Sequence, residues 1–149
     1  MIFNGEHQHA LDEKGRLTLP ARFREGLGAK CVLAKGARKP MPRLRVYPME
    51  TWEKMSETLE SLNDFDPRIQ DFKLRFFAGS APCEIDRQGR LLLNQEFRTY
   101  GKLTKDIYIV GAGNYLEIYD KQAWESKWEV IDDIFDTLAS EIFNPRAPQ

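Results

Sequence analysis

Leu11-Asp12-Glu13-Lys14-Gly15-Arg16-Leu17-Thr18-Leu19-Pro20-Ala21-Arg22-Phe23-Arg24 is a stretch that the chain uses twice. It returns 74 residues later as Ile85-Asp86-Arg87-Gln88-Gly89-Arg90-Leu91-Leu92-Leu93-Asn94-Gln95-Glu96-Phe97-Arg98. Between Phe3–Arg24 and Phe77–Arg98, nine of 22 positions are identical, among them Asp12/Asp86, Gly15/Gly89, Arg16/Arg90, Leu17/Leu91, Leu19/Leu93, Phe23/Phe97 and Arg24/Arg98. A second block aligns at an offset of 72, with Leu44-Arg45-Val46-Tyr47 and Trp52 matching Leu116-Glu117-Ile118-Tyr119 and Trp124. The chain of 149 residues is therefore a duplication, read as a first repeat over residues 1–76 and a second over 77–149. The change of offset predicts two residues lost in copy two, where the loop Lys35 to Arg43 faces Gly111 to Tyr115.

Within one copy the residue types dictate the local structure. In Asp12-Glu13-Lys14-Gly15 the Asp side chain bonds to the backbone two residues on, and Gly takes a positive φ without steric cost; both Asp-x-x-Gly segments (Asp12/Gly15, Asp86/Gly89) read as turns. Arg16 to Leu19 alternates polar and apolar as a half-buried strand. Pro20 suits the first turn of a short helix closed by Gly26 or Gly28. Further strands are predicted at Lys30–Ala34 and Leu44–Tyr47, repeated at Asp106–Val110 and Tyr115–Tyr119. Trp52, Met55, Leu59 and Leu62 recur at helical spacing, as do Trp124, Trp128, Ile131 and Phe135, and each stripe is predicted to lie on a core. A further helix follows Pro67, with Phe135 to Phe143 as its counterpart. Tyr47, Tyr119, Trp52 and Trp124 read as core rather than as base-stacking surface. The fold class is α+β: two β-rich halves in a pseudo-twofold arrangement, sharing one core, with flanking helices.

Composition bounds the function. Hydrophobic residues are 42% and charged residues 30% of the chain, the balance of a folded globular protein. The N-terminal sequence lacks the basic start and apolar run of a signal peptide, and no stretch reaches the roughly 18 apolar residues of a membrane span, so a cytoplasmic protein without a membrane partner is expected. Cys31 and Cys83 stand apart in sequence, without a second thiol or His at zinc-ligand spacing, and read as small buried hydrophobes. No metal at His7 and His9, no cofactor and no small-molecule substrate is expected.

Net charge is -1, yet the charges are segregated. Lys14 to Arg24 carries four basic residues and Lys35 to Arg45 five, with no acidic residue in either. Glu50 to Asp66 has six acidic residues to one basic, and Asp120 to Glu141 seven to two. Basic segments neutralise DNA phosphates, whereas acidic helices repel them and should face away. Arg has the planar head that bonds bidentate to guanine, which makes Arg16 and Arg90, directly after their turn glycines, the first candidates for DNA contact. Lys14, Arg22, Arg24, Arg87 and Arg98 are the candidate phosphate contacts. Two plainer readings stay open beside these: Arg16 pairing with Asp12 and Arg90 with Asp86 across their turns, and Arg24 and Arg98 as solvated helix ends. The Lys35 to Arg45 segment reads equally as a solvated loop or a phosphate clamp.

The two Asp-x-x-Gly-Arg-Leu-x-Leu segments, each preceded by Phe-x-Gly and followed by the Tyr-and-Trp block, strongly resemble the MraZ family of bacterial regulators, relatives of the AbrB-type swapped-hairpin domains. The likeness runs from Phe3 to about Phe143. It implies two intertwined AbrB-like β-barrel halves, assembly into a homo-oligomeric ring, and nucleoid-associated binding to short direct repeats in the promoter of the operon for cell division and cell-wall synthesis. It implies the same arginines as contacts, and regulation of transcription without catalysis. Copy two departs from copy one in Asn94 for Pro20 and Gln88 for Lys14. Two other classes compete. A magnesium nuclease on Asp12, Glu13 and Asp86 lacks a His or Lys base at matching spacing in both copies. An antitoxin-like interaction module would dock partners on its acidic helices and shift no promoter fragment.

Overall fold

In the computed structural model, which describes residues 2–144, the first repeat contains strand β1 (Glu6–Ala10), strand β2 (Arg16–Thr18), helix α1 (Ala21–Leu27), strands β3 (Lys30–Lys35) and β4 (Leu44–Pro48), and helices α2 (Met49–Glu60) and α3 (Pro67–Ala78). The second contains β5 (Ser80–Glu84), β6 (Arg90–Leu92), α4 (Gln95–Tyr100), β7 (Asp106–Gly111), β8 (Leu116–Asp120), α5 (Lys121–Asp133) and α6 (Phe135–Phe143). Among the described residues no helix is long and apolar enough to cross a membrane.

The strands interleave. The main sheet is antiparallel and six-stranded, in the order β1-β7-β8-β4-β3-β5, and β2 pairs with β6 in a separate two-stranded ribbon. Thus β1 of the first repeat pairs with β7 of the second, β5 of the second pairs with β3 of the first, and the ribbon takes one strand from each. The pseudo-dyad passes between β4 and β8, where Arg45 lies opposite its own equivalent, Glu117.

Registers locate the length difference between copies. Cys31 pairs with Pro48 and Ile107 with Asp120, which sets β3 and β7 at an offset of 76, while β4 and β8 keep 72. The predicted two-residue loss is therefore corrected: copy two gains two residues between α4 and β7 and loses four in the loop that follows. The β3 and β7 segments share no identical residue in this register, so local identity carries no trace of the insertion.

Strand alternation builds three layers. Leu17 and Leu19 of the first copy and Leu91 and Leu93 of the second are buried with Leu33, Leu44, Val46, Ile107, Ile109, Leu116 and Ile118, so the ribbon packs its apolar side on one face of the sheet. Full burial of a Leu contributes roughly 2 kcal/mol. The intervening β3 and β4 residues Val32, Ala34 and Tyr47 turn the other way, against Trp52 and Met55 of α2. On the same side Trp124 of α5 rests on Tyr119, ring centres 5.1 Å apart. Tyr47, Tyr119 and Trp124 are buried, as expected of core residues. The acidic helices α2 and α5 thus stand across the sheet from the ribbon.

The apolar stripes are covered only in part. Leu59 and Trp124 are buried, but Leu62 lies past the end of α2, and Trp128 and Phe135 are 47% and 63% exposed. The expectation that both stripes lie on this chain's core is corrected: the distal end of α5 and all of α6 present theirs outward. The helix after α2 and its counterpart differ too, since residues 61–66 separate α2 from α3 while Ile134 alone separates α5 from α6.

Candidate nucleic-acid interface

Each ribbon strand is launched by its turn. Asp12 Oδ1 accepts from the backbone N–H groups of Lys14 at 2.9 Å and Arg16 at 2.8 Å, and Gly15 closes the turn at φ +79° with its N–H on Asp12 O at 3.0 Å. The second turn repeats this: Asp86 Oδ1 accepts from Gln88 at 2.9 Å and Arg90 at 2.8 Å, with Gly89 at φ +78°. The backbone N–H of Arg16, then its side chain and the Lys14 N–H, hold the Asp12 carboxyl below the usual aspartate value; Arg90 and Gln88 do the same for Asp86. Carboxyls whose pKa is depressed on folding add stability that is complete above the ordinary aspartate value and is lost as pH falls from there through the lower folded value. A thermal midpoint that drops steeply below about pH 4 is expected, with a flatter profile for Asp12→Asn combined with Asp86→Asn.

The same carboxylates pair with the arginines. Arg16 Nε lies 2.6 Å from Asp12 Oδ2 and Arg90 Nε 2.8 Å from Asp86 Oδ2. In both cases only Nε is committed. The terminal nitrogens have no hydrogen bond among the described residues and are not buried, so each guanidinium is oriented by one edge and open at the other. The two alternatives for these arginines are therefore compatible: the turn pair aims a group that still has free donors.

In the ribbon Arg16 pairs with Leu92, Leu17 with Leu91, and Thr18 with Arg90. Since Leu17 and Leu91 are fully buried, Arg16, Thr18, Arg90 and Leu92 share the outer face. Thr18 and the 54%-exposed Leu92 were not among the predicted site residues; their signal was the period of two from the arginines. Lys14 and Arg87 are exposed in the two turns, and Arg22, on α1, is exposed and donates to Asn4 Oδ1.

Arg24 and Arg98 are not solvated helix ends. Arg98 Nε donates to Leu93 O at 2.9 Å and its head lies against Gly15 of the other repeat. Arg24 lies likewise against Gly89, its Nε buried without a partner among the described residues. Each arginine braces the opposite copy's turn, and each glycine leaves the room. A Cβ at Gly15 would meet Leu93 O at 2.8 Å as well as Arg98 Nε at 2.7 Å, whereas one at Gly89 would meet Arg24 side-chain atoms, Cδ at 2.5 Å and Cζ at 2.8 Å. A flexible side chain retreats more cheaply than backbone. Both alanines carry the positive-φ penalty of about 1 kcal/mol, and the backbone clash adds about 1–3 kcal/mol for Gly15→Ala. Urea unfolding should rank Gly15→Ala as the more destabilised of the two.

The Lys35 to Arg45 segment, the end of β3 and start of β4 with the loop between them, is neither a loose solvated segment nor a free clamp. Lys35 pairs with Glu96 at 2.7 Å, Arg38 lies over the Tyr100 ring at 4.6 Å, Arg43 is buried and donates to Lys39 O and Met41 O, and Arg45 pairs with Glu117 at 2.9 Å. Four of its five cations are engaged by the chain itself. Cys31 and Cys83, read as separate thiols, are directly paired across β3 and β5 with sulfurs 3.1 Å apart. Their 52-residue separation hid a contact that only the sheet register makes.

Helix α4 begins differently from α1, which explains one difference between the copies. Pro20 supplies a fixed φ of −56° before α1, while Asn94 Oδ1 accepts from Phe97 N at 3.1 Å before α4. Both devices start a short helix that buries its Phe, Phe23 or Phe97.

Comparison with known proteins covers nearly the whole chain. The family model for the MraZ protein matches residues 2–74 and again 76–141. The transcriptional regulator MraZ of Acetivibrio thermocellus is 44% identical over 125 residues, covering 84% of this chain and 85% of the relative. That of Moorella thermoacetica is 40% identical over 141 residues, 95% and 96% of the two chains, and that of Pelotomaculum thermopropionicum 44% over 141 residues, 95% of each. With two family matches in tandem and these identities along its length, the chain belongs to the MraZ family of transcriptional regulators.

Proposed function

We propose that this chain is a sequence-specific DNA-binding regulator that reads short direct repeats in the promoter of a cell-division and cell-wall operon, acting as a ring-shaped homo-oligomer in the cytoplasm, on the nucleoid. One observation carries the reading: a two-stranded ribbon whose outer face holds two guanidinium groups, each fixed by Nε and open at its terminal nitrogens. A two-stranded ribbon fits the major groove, and a preorganised Arg fork matches guanine O6 and N7. Lys14, Arg22 and Arg87 lie exposed around the ribbon as phosphate contacts, and Arg24 and Arg98 hold the turns in place. The sheet keeps the acidic helices away from the phosphates.

Strand exchange between residues 1–76 and 77–149 supports two AbrB-like swapped-hairpin halves closing one barrel. The uncovered apolar residues of α5 and α6, with Phe72 and Leu74 on α3, support a head-to-tail interface between subunits, which closes into a ring when its rotation permits. A ring on tandem sites adds individually weak contacts through effective concentration. Phe135→Asp with Ile142→Asp is expected to reduce the particle to smaller species in light scattering, while the far-ultraviolet dichroism is kept.

The deciding experiment is a salt series of mobility shifts on a promoter fragment with its direct repeats, against a scrambled fragment, together with genome-wide footprinting. Binding that prefers the repeats and falls with salt by a log–log slope of roughly −0.9 per phosphate contacted supports the proposal. Equal retention of both fragments, or of neither, returns the antitoxin-like docking reading.

A further inference from the structure

We propose that Cys31 and Cys83 are a redox-active pair that a peroxide closes to an intramolecular disulfide, bonding the first strand of the second repeat to the sheet of the first. Two observations on the structure support it, the pairing of the strands and the contact of the sulfurs. The two residues are direct cross-strand partners, in antiparallel β3 and β5. Opposed residues of an antiparallel pair have Cα atoms about 4.5–5.5 Å apart, inside the roughly 4.4–6.8 Å range that a disulfide spans. The sulfurs already touch at 3.1 Å, so bond formation asks for a side-chain adjustment and no strand movement.

Access is one-sided. Cys31 is fully buried, but Cys83 is half-buried, and both residues border an open cavity lined also by Lys30, Met49, Pro82 and Glu84. The thiol hydrogen bond between them favours loss of a first proton, because the sulfur that keeps its S–H donates to the one that ionises; burial and the resulting charge oppose loss of the second. The shared hydrogen bond lowers the Cys31 thiol and, with burial, raises that of Cys83, so the first thiolate rests on Cys31 and passes to the less buried Cys83 when the proton moves back along the S–H···S bond.

The reaction balances with peroxide as the named oxidant. The Cys83 thiolate attacks one peroxide oxygen, the O–O bond breaks, and a sulfenic acid forms as hydroxide leaves and takes up a proton. The Cys31 sulfur then attacks Cys83 Sγ, the S–O bond breaks, and a second water departs with the Cys31 proton. Two thiols and one hydrogen peroxide give one disulfide and two waters. In a thiol-buffered compartment the bond persists only while oxidation outpaces reduction, which makes it a reversible mark.

The pair is asymmetric within the duplication. At the equivalent place between β1 and β7, His9 faces Ile107. Oxidation therefore fastens only the base of the second hairpin, the one that carries Asp86 and Arg90.

The full chain, treated with hydrogen peroxide and then denatured in alkylating agent, is expected to lose about 2 Da, to yield one linked peptide pair containing Cys31 and Cys83, and to recover its original mass with a phosphine reductant. Its peroxide consumption near neutral pH is expected to exceed that of Cys31→Ala severalfold, because alanine removes the thiol hydrogen bond that favours loss of the first proton. Oxygen adducts without mass loss, linkage between chains, or thiols that still alkylate fully would overturn the proposal. So would a rate equal to that of Cys31→Ala. The mass and peptide measurements use the wild-type chain alone, so they decide the matter even if the variant fails to fold, and neither depends on DNA binding.

Discussion

Alanine at both Arg16 and Arg90 is expected to weaken binding to the promoter repeat by at least about 30-fold per subunit while the fold survives. On the proposed reading each open guanidinium edge would make a contact of the kind that contributes about 1–3 kcal/mol, so losing two would remove at least about 2 kcal/mol. The fold survives because the turns do not depend on the guanidinium groups: Asp12 and Asp86 keep their backbone N–H partners, and the ion pairs lost are exposed ones. Lys14→Ala and Arg87→Ala provide the contrast. As phosphate contacts they should weaken repeat and scrambled fragments alike and lower the salt slope by about 1 each, whereas Arg16→Ala with Arg90→Ala should erase the preference between the fragments. Titration of a labelled fragment at two salt concentrations separates these patterns. Undiminished affinity in the double variant would place the DNA surface elsewhere.

The largest loss of stability is expected at the pseudo-dyad. Arg45 and Glu117 face each other between β4 and β8, with Arg45 Nε 2.9 Å from Glu117 Oε2, the Tyr119 hydroxyl donating to Glu117 Oε1 at 2.7 Å, and Arg45 Nη1 donating to the Tyr47 hydroxyl at 3.2 Å. Glu117, Tyr47 and Tyr119 are buried. Burial pushes the Tyr119 hydroxyl pKa well up, with its bond to Glu117 acting in the same direction, so it remains a donor. Removing one charge from such a pair typically costs about 3–5 kcal/mol because the other is left buried and unmatched. Glu117→Arg alone should cost at least that much, setting two guanidinium groups against each other with a third, Arg43, over the Tyr119 ring at 5.3 Å. Arg45→Glu added to Glu117→Arg should recover part of the loss, because Tyr47 and Tyr119 flank the pair symmetrically and a hydroxyl can either donate or accept. Recovery remains partial, since Arg43 sits on one side only. Chemical denaturation of the four proteins gives the coupling directly; additive losses would mean that the pair contributes nothing as a pair.

The parts of this molecule that were legible in its sequence are those whose causes are local. Asp12, Gly15, Asp86 and Gly89 specify their turns through bonds that span four residues, and the alternation around Leu17 and Leu91 shows which side of the ribbon is buried. What escaped is set by register. Arg24 and Arg98 brace glycines of the opposite copy, Cys31 meets Cys83, and β3 aligns with β7 at an offset that no shared residue marks. Periodicity on α5 was read correctly as an apolar stripe, but only its Trp124 end lies on this chain's core. Spacing shows that a face is apolar, but the surface that covers it has to come from the neighbouring structure. Among the candidate site residues, Arg16 and Arg90 were singled out because each directly follows a turn glycine, while Thr18 and Leu92, which share their face of the ribbon, were not, because neither residue type carries charge.

The exchange of β1 and β5 reaches beyond this chain. A half-length ancestor could fill its sheet only by lending its first strand to a twin, and at the dyad the twins would face each other with identical side chains, arginine on arginine or glutamate on glutamate. Within one chain the two positions are free to differ, and Arg45 stands opposite Glu117. A homodimer made of one copy of the repeat should carry an uncharged residue at that place.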